Sequence, residues 1–204
     1  MAEPSIKGTI IAQMVDDLLR LRDGGRLAEA DLEARLDGDA LRWIEKKILP
    51  TDWIPLRVYE QLARVLMDVE GGGDPRHMRR RGRQAGERLM DAGLYRQFES
   101  LRRLGARAAS AEAYARNLRR ILSVQAALLN VGEWTVEPDP DHADRVMIVS
   151  RGVEAVPDAL VEATTGLLSG VSARAHRSGL GWNAERPEPA VVRYRMDRDV
   201  AELD

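Results

Sequence analysis

The chain has 204 residues, 44% apolar and 31% charged, with 31 basic against 33 acidic side chains and a formal net charge of -2. That length and apolar share suffice for one large folded domain and exclude wholesale disorder. There is no cysteine, which rules out disulfides, thiolate metal sites and thiol nucleophiles, and the charge balance lacks the positive excess of domains that bind nucleic acid or anionic membranes.

The apolar stretch Ile10 to Met14 is too short for a signal-peptide core and runs straight into Asp16 and Asp17. No window approaches the ~20 apolar residues of a membrane span. A cytoplasmic protein with no membrane association is expected.

The first half reads as helical. Ile10, Ile11, Met14, Val15, Leu18 and Leu19 give a helix stripe over Thr9 to Arg22, stopped by Asp23-Gly24-Gly25. Glu29 to Leu36 form a second helix, ended by Asp37-Gly38-Asp39, and Leu41, Ile44 and Ile48 continue a helical period until Pro50. Thr51 or Asp52 is expected to cap the next helix, with Pro55 in its first turn and an end near Val69. Gly71-Gly72-Gly73 is a loop. Asp74 caps a further helix with Pro75 at its first position, running to about Ala92 and carrying Gly82 and Gly86 as marks of close packing. Leu94 to Leu104 and Ala111 to Leu129 supply two more helices.

The second half changes period. Trp134 to Val136 is a short strand, Pro138-Asp139-Pro140-Asp141 a turn, and Arg145 to Val149 a buried strand. Pro157-Asp158 opens a helix to about Arg177, with Gly166 and Gly170 set for close backbone packing on a sheet. Leu180 to Glu185, the turn Arg186-Pro187-Glu188-Pro189, and Val191 to Met196 form a hairpin in which Val192, Tyr194 and Met196 face inward. The expected fold is α+β: a helical half at about 5–130 packs on a sheet half at about 131–196. The sheet half is a small, mostly antiparallel sheet with one long helix, in the order β-β-α-β-β, and residues 197–204 are read as a frayed tail.

The chemistry-bearing residues form no catalytic pattern. The three histidines, His77, His142 and His176, have no spacing that places two ligands on one helix face. No nucleophile elbow or phosphate-binding loop is present, and the Ser169-Gly170-Val171-Ser172 hydroxyls are expected to bond the preceding helical turn. The most uneven charge is at Arg76, Arg79, Arg80 and Arg83, spaced i, i+3, i+4, i+7 along one helix face. Internal pairing on a solvated face is its first reading and an acidic protein partner its second. Nucleic acid is disfavoured by the net charge and the lack of stacking aromatics nearby. Trp53, Tyr59, Tyr95, Phe98, Trp134 and Trp182 are read as core anchors.

Together, Trp53-Ile54-Pro55, Val58-Tyr59, a glycine-bearing helix, "GLYRQFESL" at Gly93 to Leu101, "SRGVEAVPDALVEATTGLLSGVSARA" at Ser150 to Ala175 and the closing "VVRYRM" resemble the haem–nitric oxide/oxygen binding (H-NOX) fold. The 4-vinyl reductase and transport-particle-like domains and a group of uncharacterised bacterial proteins share this layout. The resemblance implies an iron-binding histidine in the helix before the sheet, but Tyr114 to Val124 reads YARNLRRILSV. It also implies a Tyr-x-Ser-x-Arg propionate clamp, but Ile148-Val149-Ser150-Arg151-Gly152 lacks the tyrosine and has its arginine out of register. It therefore implies a haem-less relative that uses no cofactor, and a homodimer, since relatives often pair. The expected function is a non-enzymatic regulatory or scaffold module acting through protein contacts. The alternative is a sensor that binds a small apolar molecule between the helical half and the sheet.

Overall fold

The computed structural model describes residues 2–91, 111–125, 127–175 and 179–203. Strand β1 (Ser5–Lys7) leads into α1 (Gly8–Asp23), followed by α2 (Glu29–Arg35) and α3 (Gly38–Glu45). Then come β2 (Trp53–Pro55), α4 (Leu56–Gly71), α5 (Arg76–Asp91) and α6 (Ala111–Gln125). The second half is β3 (Glu133–Asp139), β4 (His142–Arg151), α7 (Asp158–Ala175), β5 (Trp182–Glu188) and β6 (Val191–Met196), closed by a 3-10 turn at Val200–Glu202. The α+β order and the β-β-α-β-β second half match the reading of the sequence. The expected helix over Leu94 to Leu104 lies outside the described residues. Among the described residues no helix is long and apolar enough to cross a membrane.

The four-stranded sheet has the order β3-β4-β6-β5 and is antiparallel throughout. Its register aligns Val136 with Ile148, Ile148 with Tyr194, and Ser150 with Val192. Because side chains alternate along a strand, these residues share the inner face while Glu137, Arg151, Arg193 and Arg195 share the outer one. On that outer face Arg151 makes a two-pronged contact with Glu137 (2.6 and 3.2 Å), and Arg195 holds Asp139 (2.5 and 3.1 Å) and Asp141.

Helix α7 lies on the inner face and α5 lies on α7. The two helices meet backbone to backbone. A Cβ built on Gly82 overlaps the Ala163 carbonyl and one on Gly86 comes within 2.6 Å of the Leu167 oxygen. From the other side, Gly166 and Gly170 meet the Arg79 and Arg83 carbonyls in the same way. Residues four apart share a helix face, so each pair forms a flat strip that lets the axes approach. The four glycines cost about 1 kcal/mol each in helix propensity against alanine. Close dispersion contact along the strip offsets that cost.

Four local expectations are corrected. Helix α3 ends at Glu45, well before Pro50, because residues 46–52 turn back: Leu49 N–H donates to Asp52 Oδ2 (2.9 Å) and Asp52 N–H to the Leu49 carbonyl (3.0 Å). Asp52 is thus a turn residue rather than a helix cap, and Pro55 is extended (φ -54°, ψ 140°) at the end of β2, with α4 starting at Leu56. Asp37 does not merely end α2; its carboxylate accepts the Asp39 and Ala40 N–H groups (3.0 and 2.8 Å) and caps α3. In the last hairpin β5 continues to Glu188 through a register shift between Glu185 and Glu188, where Pro187 needs no ladder donor.

Residues 197–203 are not a frayed tail. Val200 and Leu203 are buried in the core, Arg145 Nε donates to Asp199 Oδ1 (2.5 Å), and Ala201 N–H donates to Asp144 Oδ2 (2.9 Å).

Replacing Gly166 by alanine is expected to destabilise the fold by about 3 kcal/mol, a fall of roughly 6–12 °C in Tm, because neither backbone can yield alone. Gly38→Ala, at a site with open space around it, is expected to be neutral or slightly stabilising. Denaturant titration of the two variants checks the contrast.

Candidate functional site

The four arginines singled out in the sequence lie on α5, and three of them hold carboxylates of this chain. Arg79 grips Glu162 of α7 through Nε (2.8 Å) and Nη2 (3.2 Å). Arg80 reaches Asp74 (2.8 Å) and Arg83 reaches Glu87 (3.1 Å). Arg76 is exposed at the helix start, and its backbone N–H is capped by Asp74 Oδ1 (2.9 Å). The stripe is therefore real as a helix face. Its inner edge at Arg79 clamps α5 to α7, and its outer edge carries local pairs.

A fifth arginine off the stripe is more deeply engaged. Arg81 is half-buried between α1 and α4, where it holds Asp17 and, at 2.9 Å, Glu70. No local spacing announces this, because the partners lie 64 and 11 residues away in sequence.

His77 belongs to the same cluster. Its ring packs against Gly71, where an added Cβ would stand 2.7 Å from the His77 Cβ. Nε2 lies 3.3 Å from Glu70 Oε2 but without the alignment of a hydrogen bond. Burial holds the imidazole below its ordinary pKa; Glu70 acts the other way, and Arg81 and Arg80 add to the depression. His142 is exposed at the start of β4, and His176 lies outside the described residues. Among the described residues no group of three or more potential metal ligands gathers.

Between the helical half and the sheet the described residues are tightly packed. Tyr59 of α4 and Tyr194 of β6 are each only 1% exposed, and Tyr114 of α6 is buried with them. Burial raises all three phenols above the usual tyrosine range. The Trp182 ring N–H donates to Ser172 Oγ (2.8 Å), and Ser172 also bonds the Tyr114 hydroxyl, so β5, α7 and α6 share one buried polar chain. Ser169 and Thr165 bond the preceding turn, as their mid-helix positions suggest (2.9 and 2.8 Å).

A cleft of about 490 Å³ opens at the rim rather than between the layers. It is polar, with Glu60, Glu154, Asp158 and Glu188 on its walls. The Arg186 guanidinium on its floor is occupied by the carbonyls of Val156 and Pro189 (2.8 Å each).

Of the aromatic anchors expected from the sequence, Tyr59 and Trp182 are buried and Trp134 stacks on Tyr194 (5.7 Å between centroids). Trp53 is the exception. It is 41% exposed, because the other face of its short strand, at Ile54, is the buried one. Tyr95 and Phe98 lie outside the described residues.

No family model and no curated protein matches the chain. Solved structures do. An Fe(II) unliganded H-NOX protein mutant from K. algicida superposes with a TM-score of 0.57 at 13% identity, covering 94% of this chain and 95% of that one. A single-residue mutant of T. tengcongensis H-NOX gives 0.53 at 12%, covering 96% and 100%. A structure from a study of haem distortion in the H-NOX family gives 0.53 at 12%, covering 95% and 96%.

This is an H-NOX-like fold.

At such identities the likeness speaks of the fold alone, so the chain's own residues decide whether a haem suits it. They do not fit one. Helices α5 and α7 are in direct backbone contact, with no room for a flat ring between them. Helix α6 turns Tyr114, Leu118 and Leu122 into the core and carries no histidine. Ser150 is buried, whereas Arg151 stands on the outer face of the sheet with Glu137.

Two measurements test this picture. A double-mutant cycle on Arg79 and Glu162 should give a coupling of about 1 kcal/mol, against less than about 0.5 kcal/mol for Arg83 and Glu87 within one helix. A histidine depressed by burial contributes stability that is complete above its unfolded pKa of about 6.5 and lost as pH falls, because the unfolded chain then binds the extra proton. His77→Gln should therefore flatten the decline in unfolding free energy between about pH 7 and pH 5, as read by denaturant melts across that range.

Proposed function

We propose that this chain is a haem-less, non-enzymatic regulatory or scaffold module with an H-NOX-like fold that acts in the cytoplasm through contact with another protein or a second copy of itself. The observation that carries this reading is the close packing of the described interior. Among the described residues the space between the layers is taken up by helix backbones and by Tyr59, Tyr114 and Tyr194. A domain so filled has its surface left to work with.

The outward part of the α5 arginine face, Arg76, Arg80 and Arg83, belongs to that surface and suits an acidic partner. Exposed ion pairs such as Arg80 with Asp74 exchange readily for intermolecular ones, since each contributes little on its own.

Protein purified from its own host should show no Soret absorption and no retained small molecule by native mass spectrometry. Light scattering and crosslinking should show a dimer or a bound protein. A retained apolar ligand would instead favour the sensor alternative, and a strict monomer with no crosslinked partner would remove the interaction reading.

A further inference from the structure

The chain has 28 arginines but only three lysines, Lys7, Lys46 and Lys47, and the fold brings all three to one patch of surface. Lys7 closes β1 opposite Trp53 of β2; its ammonium lies 4.0 Å from the Trp53 ring centroid and donates to the Thr51 carbonyl (3.0 Å). Lys46 follows α3, with its ammonium 4.4 Å from the Trp43 ring centroid and 3.9 Å from Asp52. Lys47 beside it is exposed. The large apolar side chains that the described residues leave exposed, Leu49 at 48% and Trp53 at 41%, sit on the same turn.

The patch is held in shape. The reciprocal bonds between Leu49 and Asp52 close the turn, and Gly8 lets Ile48 and Leu49 lie directly on the start of α1, where an added Cβ would stand 2.9 Å from Ile48 Cγ2. Arginines such as Arg79, Arg81 and Arg195 are committed to internal carboxylates. Lysine is the more mobile point charge and makes fewer fixed bonds, and here two of the three rest on aromatic faces, already gathered beside an apolar tip.

We infer that this face, Lys7, Lys46 and Lys47 around Leu49 and Trp53, docks an acidic segment of a partner protein, whose carboxylates meet the ammonium groups while its apolar side chains cover Leu49 and Trp53. The inference rests on the interaction reading above and names its surface. Charge decides the class of occupant. A second copy using the same patch would set lysines against lysines, and the described residues expose no other large apolar side chain for a head-to-tail contact. An anionic bilayer would meet a molecule whose net charge is -2, with Glu45 and Asp52 among the lysines. A discrete acidic segment can set single carboxylates on the ammonium groups, which a uniformly anionic surface cannot do without also facing Glu45 and Asp52. An exposed tryptophan is also among the residue types enriched at energetic centres of protein interfaces.

The test uses the full chain and a labelled synthetic peptide in which glutamate and leucine alternate at helical spacing. Fluorescence anisotropy should show binding that weakens with added salt. It should weaken about tenfold or more for Trp53→Ala and for the double variant Lys46→Glu/Lys47→Glu, while both keep the wild-type melting temperature within a few degrees. A matching lysine–leucine peptide should not bind. Unchanged affinity in both variants, no binding at all, preferential sedimentation with phosphatidylserine vesicles, or dimers that Trp53→Ala splits would each overturn the proposal. Crosslinking in host cells separates the two levels. A partner retained by both variants leaves the interaction reading standing and removes this face, whereas no partner for any form removes both.

Discussion

Two helices in this molecule touch through peptide backbone. Side-chain packing normally keeps helix axes 8–10 Å apart; Gly82 and Gly86 on α5, with Gly166 and Gly170 on α7, remove the side chains that would do so here. Because α7 also lies on the sheet, this contact fixes how near the whole helical half comes to the second half. The Arg79–Glu162 clamp beside it and the buried tyrosines beyond it take positions that the approach creates.

The interior so formed is not purely apolar. It carries phenols, an indole N–H and several hydroxyls, each destabilising if left unpaired in low dielectric. The chain from Trp182 through Ser172 to Tyr114, and the contact of Tyr194 with Thr164, satisfy several of these groups across elements distant in sequence, whereas the buried Trp134 ring N–H has no hydrogen-bond partner among the described residues. Such bonds are directional. They fix the rotation of α7 about its own axis, which hydrophobic contact alone would leave loosely set. The outer face of the sheet is governed differently: it carries charged pairs such as Arg151 with Glu137 and Arg195 with Asp139.

The parts of this fold that could be read from the sequence were those with long periods. Helix α1 follows its apolar stripe, β6 follows its alternation to the residue, and the glycine pairs mark close packing, although Gly166 and Gly170 meet helix α5 and not the sheet that the sequence suggests. Strands β1 and β2, of three residues each, are too short to show a period, and they exist because residues 128–130 cover one side of β1 and Trp53 to Pro55 the other. Acidic neighbours hid Val200 and Leu203, two apolar residues three apart, inside what looked like a charged tail. The candidate site was legible only in part. Spacing correctly placed four arginines on one face, but their carboxylate partners, and the deeper role of Arg81, depend on tertiary contacts that no local window contains. Trp53 misled because a large aromatic in a short strand is usually buried, and only the pleat shows which face it takes.

How the described interior is packed matters as much as how tightly. A cavity blocked by a side chain reopens when that side chain changes rotamer, a motion of picoseconds to nanoseconds where space allows. A cavity blocked by backbone reopens only when whole helices part. Parting α5 from α7 would break the Arg79–Glu162 clamp and expose four glycines whose helical conformation the contact supports. These losses come together, because the same surface carries both of them. Helices α5 and α7 are thus joined directly within an H-NOX-like fold, while the lysines and the exposed Trp53 lie on the outside.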